Sequence, residues 1–189
     1  AAARHMELAG CTALVLAGTG PVGERAARLL AGQGATVRVA SRQSVRAEAT
    51  VARIEAELPE CTLVPMQTAG SSETLAALEG VQLVIAAGAE GIELLPPGSW
   101  EECQSLEVAI DLNAVPPLGI AGIEMMDRAA VHGGKTCYGA IGVGGTKMKI
   151  HKAALQRLFD SNDQVLDAEV IFAIGKELEE QASGSQDRN

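Results

Sequence analysis

Three glycines, Gly18, Gly20 and Gly23, stand in a G-x-G-x-x-G spacing within Gly18-Thr19-Gly20-Pro21-Val22-Gly23. Residues of that type at that spacing hold a diphosphate. The first glycine permits a sharp turn, the second lets the backbone approach the pyrophosphate, and the third lets a helix press on the preceding strand. The anion then rests on the free N–H groups and the positive dipole end of that helix. Pro21 suits the first helical turn, where no N–H bond is forfeited. About 20 residues further on, where a carboxylate would bind an unphosphorylated ribose, the chain reads Ala40-Ser41-Arg42, and no carboxylate occurs before Glu48. Ser41 offers a hydrogen bond and Arg42 a charged fork, with Arg46 assisting from the next helix; together they suit a 2′-phosphate and hence NADP. The plain alternative for Arg42 is a solvated loop residue.

Two further places carry candidates. Ala87-Gly88-Ala89 closes an apolar run, and a glycine there lets a ribose or pyrophosphate come close, although an ordinary turn uses the same residues. Asn113, just beyond Asp111, reads either as a partner for a nicotinamide carboxamide or as a cap for the Pro116-Pro117 loop.

The elements that must position these residues alternate between strand and helix. Strands are expected at Thr12–Ala17, Thr36–Ala40, Thr62–Met66, Val81–Ala87 and Leu106–Asp111, with a further short one around Thr136–Ile141. Pro65 puts the third at or near a sheet edge. Helices are expected after the glycine turn, with apolar positions Ala26, Ala27, Leu29 and Leu30, and then at Ser44–Leu58, Ser71–Leu78, Lys147–Phe159 and Ala168–Gln181. Asp167 is the N-cap of the last. This rhythm specifies an α/β fold: a Rossmann-type doubly wound parallel sheet with helices on both faces, its ligand crevice at the carboxyl ends of the strands.

Several tempting stretches carry no site. Gly133-Gly134-Lys135-Thr136 ends like a phosphate loop, but Ala129 stands where the first glycine belongs and strand-like sequence follows. Gly139 to Thr146 reads as a packing turn or a wall of the cleft. Lys147, Lys149, His151 and Lys152 read as a solvated helix face, the alternative being that Lys147 or Lys149 meets an anion. There is no nucleophile elbow, paired-carboxylate motif, Ser-Lys couple or Tyr-x-x-x-Lys couple, so no catalytic acid or base is assigned. A reaction that moves only a hydride needs positioning more than proton transfer.

Composition narrows the field. The 189 residues suffice for one α/β domain, 47% are apolar, and with two Phe, one Tyr and one Trp the core must be aliphatic. A net charge of −9 repels polyanions over roughly 8 Å at physiological salt, and aromatic stacking platforms are missing, so no nucleic-acid partner is expected. Cys11, Cys61, Cys103 and Cys137 form no C-x-x-C pair and read as buried or half-buried thiols of a reducing cytoplasm. His5, His132 and His151 show no ligand spacing, so no metal is expected. No apolar run reaches the roughly 18 residues of a membrane helix, and no signal peptide is visible; no membrane partner is expected.

Taken together, Leu16-Ala17-Gly18-Thr19-Gly20-Pro21-Val22-Gly23, the run from Ala87 to Pro96, Asp111-Leu112-Asn113-Ala114-Val115-Pro116-Pro117-Leu118-Gly119-Ile120 and the run from Gly139 to His151 resemble the NADP-binding domain of bacterial methylene-tetrahydromethanopterin dehydrogenases. The resemblance spans residues 9–181. Its more particular parts are Asn-Ala-x-Pro-Pro-Leu-Gly-Ile and Gly-Gly-x-Lys-x-Lys-x-His. It implies hydride transfer from the methylene carbon of methylene-tetrahydromethanopterin, or of methylene-tetrahydrofolate, to C4 of NADP. The methenyl product is stabilised by its own nitrogens, so no base is required. It further implies a homo-oligomer and a pterin bound between this domain and a preceding α/β domain. On this basis Gly18 to Val22 hold the pyrophosphate, Ser41 and Arg42 the 2′-phosphate, Ala87 to Ala89 the ribose side, and Asn113 with Pro117 the nicotinamide side. Gln43 departs from the pattern, standing where a second basic residue is expected.

The expected layout is thus 1–8 as the end of a connecting helix or an expression remnant, 9–181 as the NADP-binding domain, and 182–189 as a frayed tail. Two rival readings share the same turn: an oxidoreductase like the shikimate or amino-acid dehydrogenases, and a non-catalytic NADP-binding module.

Overall fold

A computed structural model describes residues 1–160, 163 and 165–186, the last five of these by backbone alone. Its frame is a sheet of strands Thr12–Leu16 (β1), Thr36–Ser41 (β2), Thr62–Gln67 (β3), Leu83–Ala86 (β4), Val108–Asp111 (β5), Arg128–His132 (β6) and Lys135–Tyr138 (β7). The helices are Pro21–Ala31 (α1), Ser44–Glu57 (α2), Ser71–Leu78 (α3), Ala140–Asp160 (α4) and Ala168–Gln186 (α5).

The strand order is β3-β2-β1-β4-β5-β7-β6. The order reverses between β1 and β4, which creates the crevice of a doubly wound sheet. β3 lies at an edge, as Pro65 requires. Successive residues of one strand feed opposite layers. Ala13 and Val15 join Val37, Val39, Leu83 and Ile85 in one layer, covered by Ala27 and Leu30 of α1 and by Val51 and Ile54 of α2. Leu14 and Leu16 join Val84 and Ala86 in the other, covered by Ala77 and Leu78 of α3 and by Trp100, Leu95 and Ile120. With both faces covered, β1 from Ala13 onward and all of β4 can be apolar.

The doubly wound parallel sheet with helices on both faces is as expected, and two local corrections apply. The first is an added edge strand, β6, which runs antiparallel to β7. Gly133 (φ 57°) and Gly134 (φ 80°) form the two-residue turn between them, where both positions need a positive φ. That explains the false phosphate loop. The second correction is at Gly139 to Thr146, which is not a turn ahead of a helix. α4 begins at Ala140, and the segment from Glu124 to Asp127 lies against its first turn. A Cβ on Gly139 or Gly142 would collide with the Glu124 or Asp127 carbonyls, so glycine is required for packing.

Smaller differences concern ends and tails. β4 starts at Leu83, not Val81, because Val81 N–H donates to Leu78 O at 3.1 Å and still belongs to the preceding turn. The segment 1–8 holds a single 3-10 turn, Ala2–Arg4, with Ala2 buried and His5 Nε2 2.7 Å from the Tyr138 hydroxyl. Asp167 caps α5 as expected, its Oδ1 accepting Val170 N–H at 2.9 Å. That helix continues through Gln186, and 187–189 of the expected tail lie outside the described residues.

The chain divides into two compact units, Ala1–Val143 and Gly144–Asn189. In the second unit a Cβ on Gly175 would sit 3.0 Å from Ile150 Cδ1, and Arg157 pairs with Glu177. Lys147, Lys149, His151 and Lys152 are exposed. Among the described residues no helix is long and apolar enough to cross a membrane.

Candidate functional site

The glycine turn assigns each glycine a separate task. A Cβ on Gly18 would lie 2.9 Å from both Val15 O and Val39 Cγ1, so this residue lets the turn lie over β2. A Cβ on Gly23 would lie 2.7 Å from Gly18 Cα and 2.8 Å from Ala17 O, so it lets α1 lean on the turn. Gly20, the N-cap of α1, is open: only Ala17 O lies near its Cβ direction, at 3.8 Å. Backbone here can therefore approach a ligand closely. One detail departs from expectation, since the positive φ of the sharp turn belongs to Ala17 (53°), not to Gly18.

A cavity of about 860 Å³ opens at the carboxyl ends of β1 to β4, within the range of roughly 300–1,000 Å³ common for small-molecule and cofactor sites. It brings together Thr19, Gly20, Ser41, Arg42, Arg46, Ala87, Gly88 and Ala89. Four strand ends thus converge on one space. Neighbouring arginines are committed elsewhere: Arg28 to Glu57, Arg53 to Glu24, and Arg38 to the carbonyls of Ala77 and Glu79. The exposed guanidinium groups of Arg42 and Arg46 have no such partner among the described residues. Ser41 is buried, and its hydroxyl accepts the Gln43 N–H at 3.3 Å, which leaves its own proton to donate. An open N-cap, two uncommitted guanidinium groups and a serine proton give the cavity the anion-binding groups that a dinucleotide requires.

Six expected residues stand apart from this wall. Gly18 and Gly23 are buried beneath the turn; Val22 is exposed on α1; Pro21 borders a smaller depression with Thr19, Glu24 and Arg25. Asn113 and Pro117 do not line the cavity either. Asn113 is buried and braces the loop: its Nδ2 donates to Ala89 O at 3.3 Å and Pro117 O at 3.4 Å, while its Oδ1 accepts Val115 N–H at 3.0 Å. These are the contacts of the loop cap read from sequence.

Asp111 works beside it. Fully buried, its Oδ1 accepts Asn113 N–H at 2.9 Å and its Oδ2 accepts Ile120 N–H at 2.8 Å, with Gly119 N–H a third donor. Burial pushes its carboxyl above the usual carboxylate range, against the pull of those three N–H groups. A Cβ on Gly119 would lie 2.9 Å from Asp111 Oδ1, so glycine lets the loop close over the carboxylate. This clamp holds the far wall of the crevice in place.

Two wall segments escaped the sequence reading. Thr68 to Ser71 and Thr74 come from the β3–α3 junction, and Ile92 to Leu94 with Pro96 to Ser99 come from the segment after β4. The first was findable, because small polar residues at a strand's carboxyl end, ahead of a helix, belong to the crevice of such a sheet. The second had no local signal; its place depends on hydrogen bonds from Leu94 and Leu95 N–H to Gly119 O, at 2.8 and 3.0 Å.

A family model described as NAD(P)-binding matches residues 5–119, which hold the glycine turn and every lining segment of the cavity. The chain belongs to this NAD(P)-binding family. Over 169 residues it is 43% identical to the bifunctional protein MdtA of Methylorubrum extorquens, covering 89% of this chain and 58% of that one. It is 29% identical over 106 residues to the NAD(P)-dependent methylenetetrahydromethanopterin dehydrogenase of the same organism, covering 54% of this chain and 36% of that one. The chain therefore spans little more than half the length of the first relative and about a third of the second. Among solved structures, a dipicolinate synthase polypeptide from Bacillus halodurans matches with a TM-score of 0.49 and 27% identity, over 64% of this chain and 37% of that one. The NAD(P)-binding unit is of the kind that oxidoreductases use to hold nicotinamide cofactors.

Proposed function

We propose that this chain is the NADP-binding part of a dehydrogenase that takes a hydride from methylene-tetrahydromethanopterin, or from methylene-tetrahydrofolate, and acts as a homo-oligomer. One observation carries the cofactor: the uncommitted guanidinium groups of Arg42 and Arg46 share a cavity with Ser41 and the open backbone of Gly20. The arginines and the serine recognise the 2′-phosphate, and the amides at the start of α1 receive the pyrophosphate. Ala87 to Ala89 form the floor on the ribose side. A nicotinamide dinucleotide held by these residues would supply the hydride acceptor.

The activity for which the second relative is named supports the substrate class. The charged residues lining the cavity are Arg42, Arg46 and Glu93. Fluorescence titration with NADPH and NADH tests the cofactor half; tighter binding of NADPH is expected, and equal binding would contradict it. NADP reduction on addition of each one-carbon donor tests the reaction.

A further inference from the structure

Three charged side chains line the cavity, and they are not spread evenly. Arg42 and Arg46 sit at the end of β2 and the start of α2, whereas Glu93 sits in the segment that follows β4. β1, which leads into the turn carrying Gly20, lies between those strands, so the arginines and the carboxylate flank the pyrophosphate position from opposite sides. The cavity is positive at one end and negative at the other.

The position of Glu93 is fixed by its neighbours. Ile92 N–H donates to Ala89 O at 3.3 Å, and Leu94 N–H donates to Gly119 O at 2.8 Å. Leu94 also rests on Gly88, where a Cβ would come 2.9 Å from Leu94 Cδ1. Between these anchors Glu93 is exposed, borders the cavity and makes no side-chain hydrogen bond or ion pair among the described residues.

We infer that Glu93 makes the site discriminate between the two redox states of the dinucleotide, favouring the oxidised one. This rests on the reading above, in which the 2′-phosphate lies at the arginines and the pyrophosphate at Gly20. The nicotinamide half must then extend toward the β4 side. Its ring carries one positive charge when oxidised and none once a hydride, with both its electrons, has formed the new C–H bond at C4. The phosphates are common to both forms, so the ring charge is the main electrostatic difference that the carboxylate meets. In a cleft open to water a single carboxylate changes the ratio of the two affinities by about two- to fivefold. Salt shrinks that preference, because an exposed charge pair is screened.

The test is calorimetric titration of the chain with NADP+ and with NADPH, for the native sequence, Glu93→Gln and Glu90→Gln, at low and high salt. Glutamine keeps the size of Glu93 at an exposed position, and Glu90 is a neighbouring exposed acid that does not line the cavity. The expected result is a shift of about two- to fivefold in the affinity ratio toward NADPH in Glu93→Gln only, together with loss of the ratio's salt dependence. An unchanged ratio in Glu93→Gln, or an equal shift in Glu90→Gln, overturns the inference and leaves the dinucleotide site standing. Failure of the native chain to bind either form overturns the underlying reading instead.

Discussion

Gly23 and Gly18 meet backbone to backbone: a methyl group on Gly23 would lie 2.7 Å from Gly18 Cα. Neither partner is a flexible side chain, so neither can yield. Gly23→Ala is expected to cost about 1–3 kcal/mol, the range for overpacking a rigid contact, measured by urea unfolding.

Gly20→Ala should behave in the opposite way. Its Cβ has room, with only Ala17 O at 3.8 Å, and the loss of a glycine N-cap costs less than about 1 kcal/mol. The methyl group instead occupies the approach to the α1 amides, so dinucleotide affinity should fall while the unfolding midpoint barely moves. A variant that unfolds early but binds normally would contradict the division of labour among the three glycines.

Asp111→Asn removes one acceptor and turns an amide NH₂ toward backbone donors. A loss of about 2–3 kcal/mol is expected from the broken charged hydrogen bonds. The pH dependence has a definite sign. Because the folded carboxyl sits above 3.8, the folded state holds the proton longer than the unfolded chain, and this group's contribution falls as pH rises from 3.8 through the folded value. The stability gap between native and variant proteins should therefore be wider in acid than at pH 7. A gap that widens toward neutral pH would show a lowered carboxyl.

Cys137 is buried, and burial pushes its thiol from 9.0 up to about 11, with Asp127 adding to the effect. Between those values the unfolded chain loses a proton that the folded protein keeps. Stability should decline by about 2–3 kcal/mol across that window on this account. Cys137→Ala should flatten that part of the profile, as read from urea midpoints at pH 8 to 11; an unchanged slope would assign it to other groups.

The sequence announced the parts of the site that depend on short-range patterns. The glycine spacing, Ser41 and Arg42 at the end of β2, and the edge strand bearing Pro65 are local signals; Gly20, Ser41 and Arg42 line the cavity, and β3 is an edge strand. Features that depend on distant contacts were hidden. Nothing in Asn113 alone shows that it braces the loop; the Ala89 and Pro117 carbonyls that it bonds are brought beside it by the fold. The glycines at 139 and 142 signal a turn in isolation, yet they open a helix because the segment from Glu124 to Asp127 needs the space. β6 was missed although Gly133-Gly134 is a hairpin signal, because its exposed strand lacks the apolar alternation of a core strand. The positive φ at Ala17 has no sequence signal at all.

The central claim is that a guanidinium at the end of β2 recognises the extra phosphate of NADP. Arg42→Ala isolates it, because Arg42 is exposed and its guanidinium has no partner to lose among the described residues. Titration with NADPH and NADH should show a loss of about 1.5–3 kcal/mol for NADPH, the size of one charged hydrogen bond, with NADH affinity nearly unchanged. Equal losses for both cofactors, or none for either, would contradict the account.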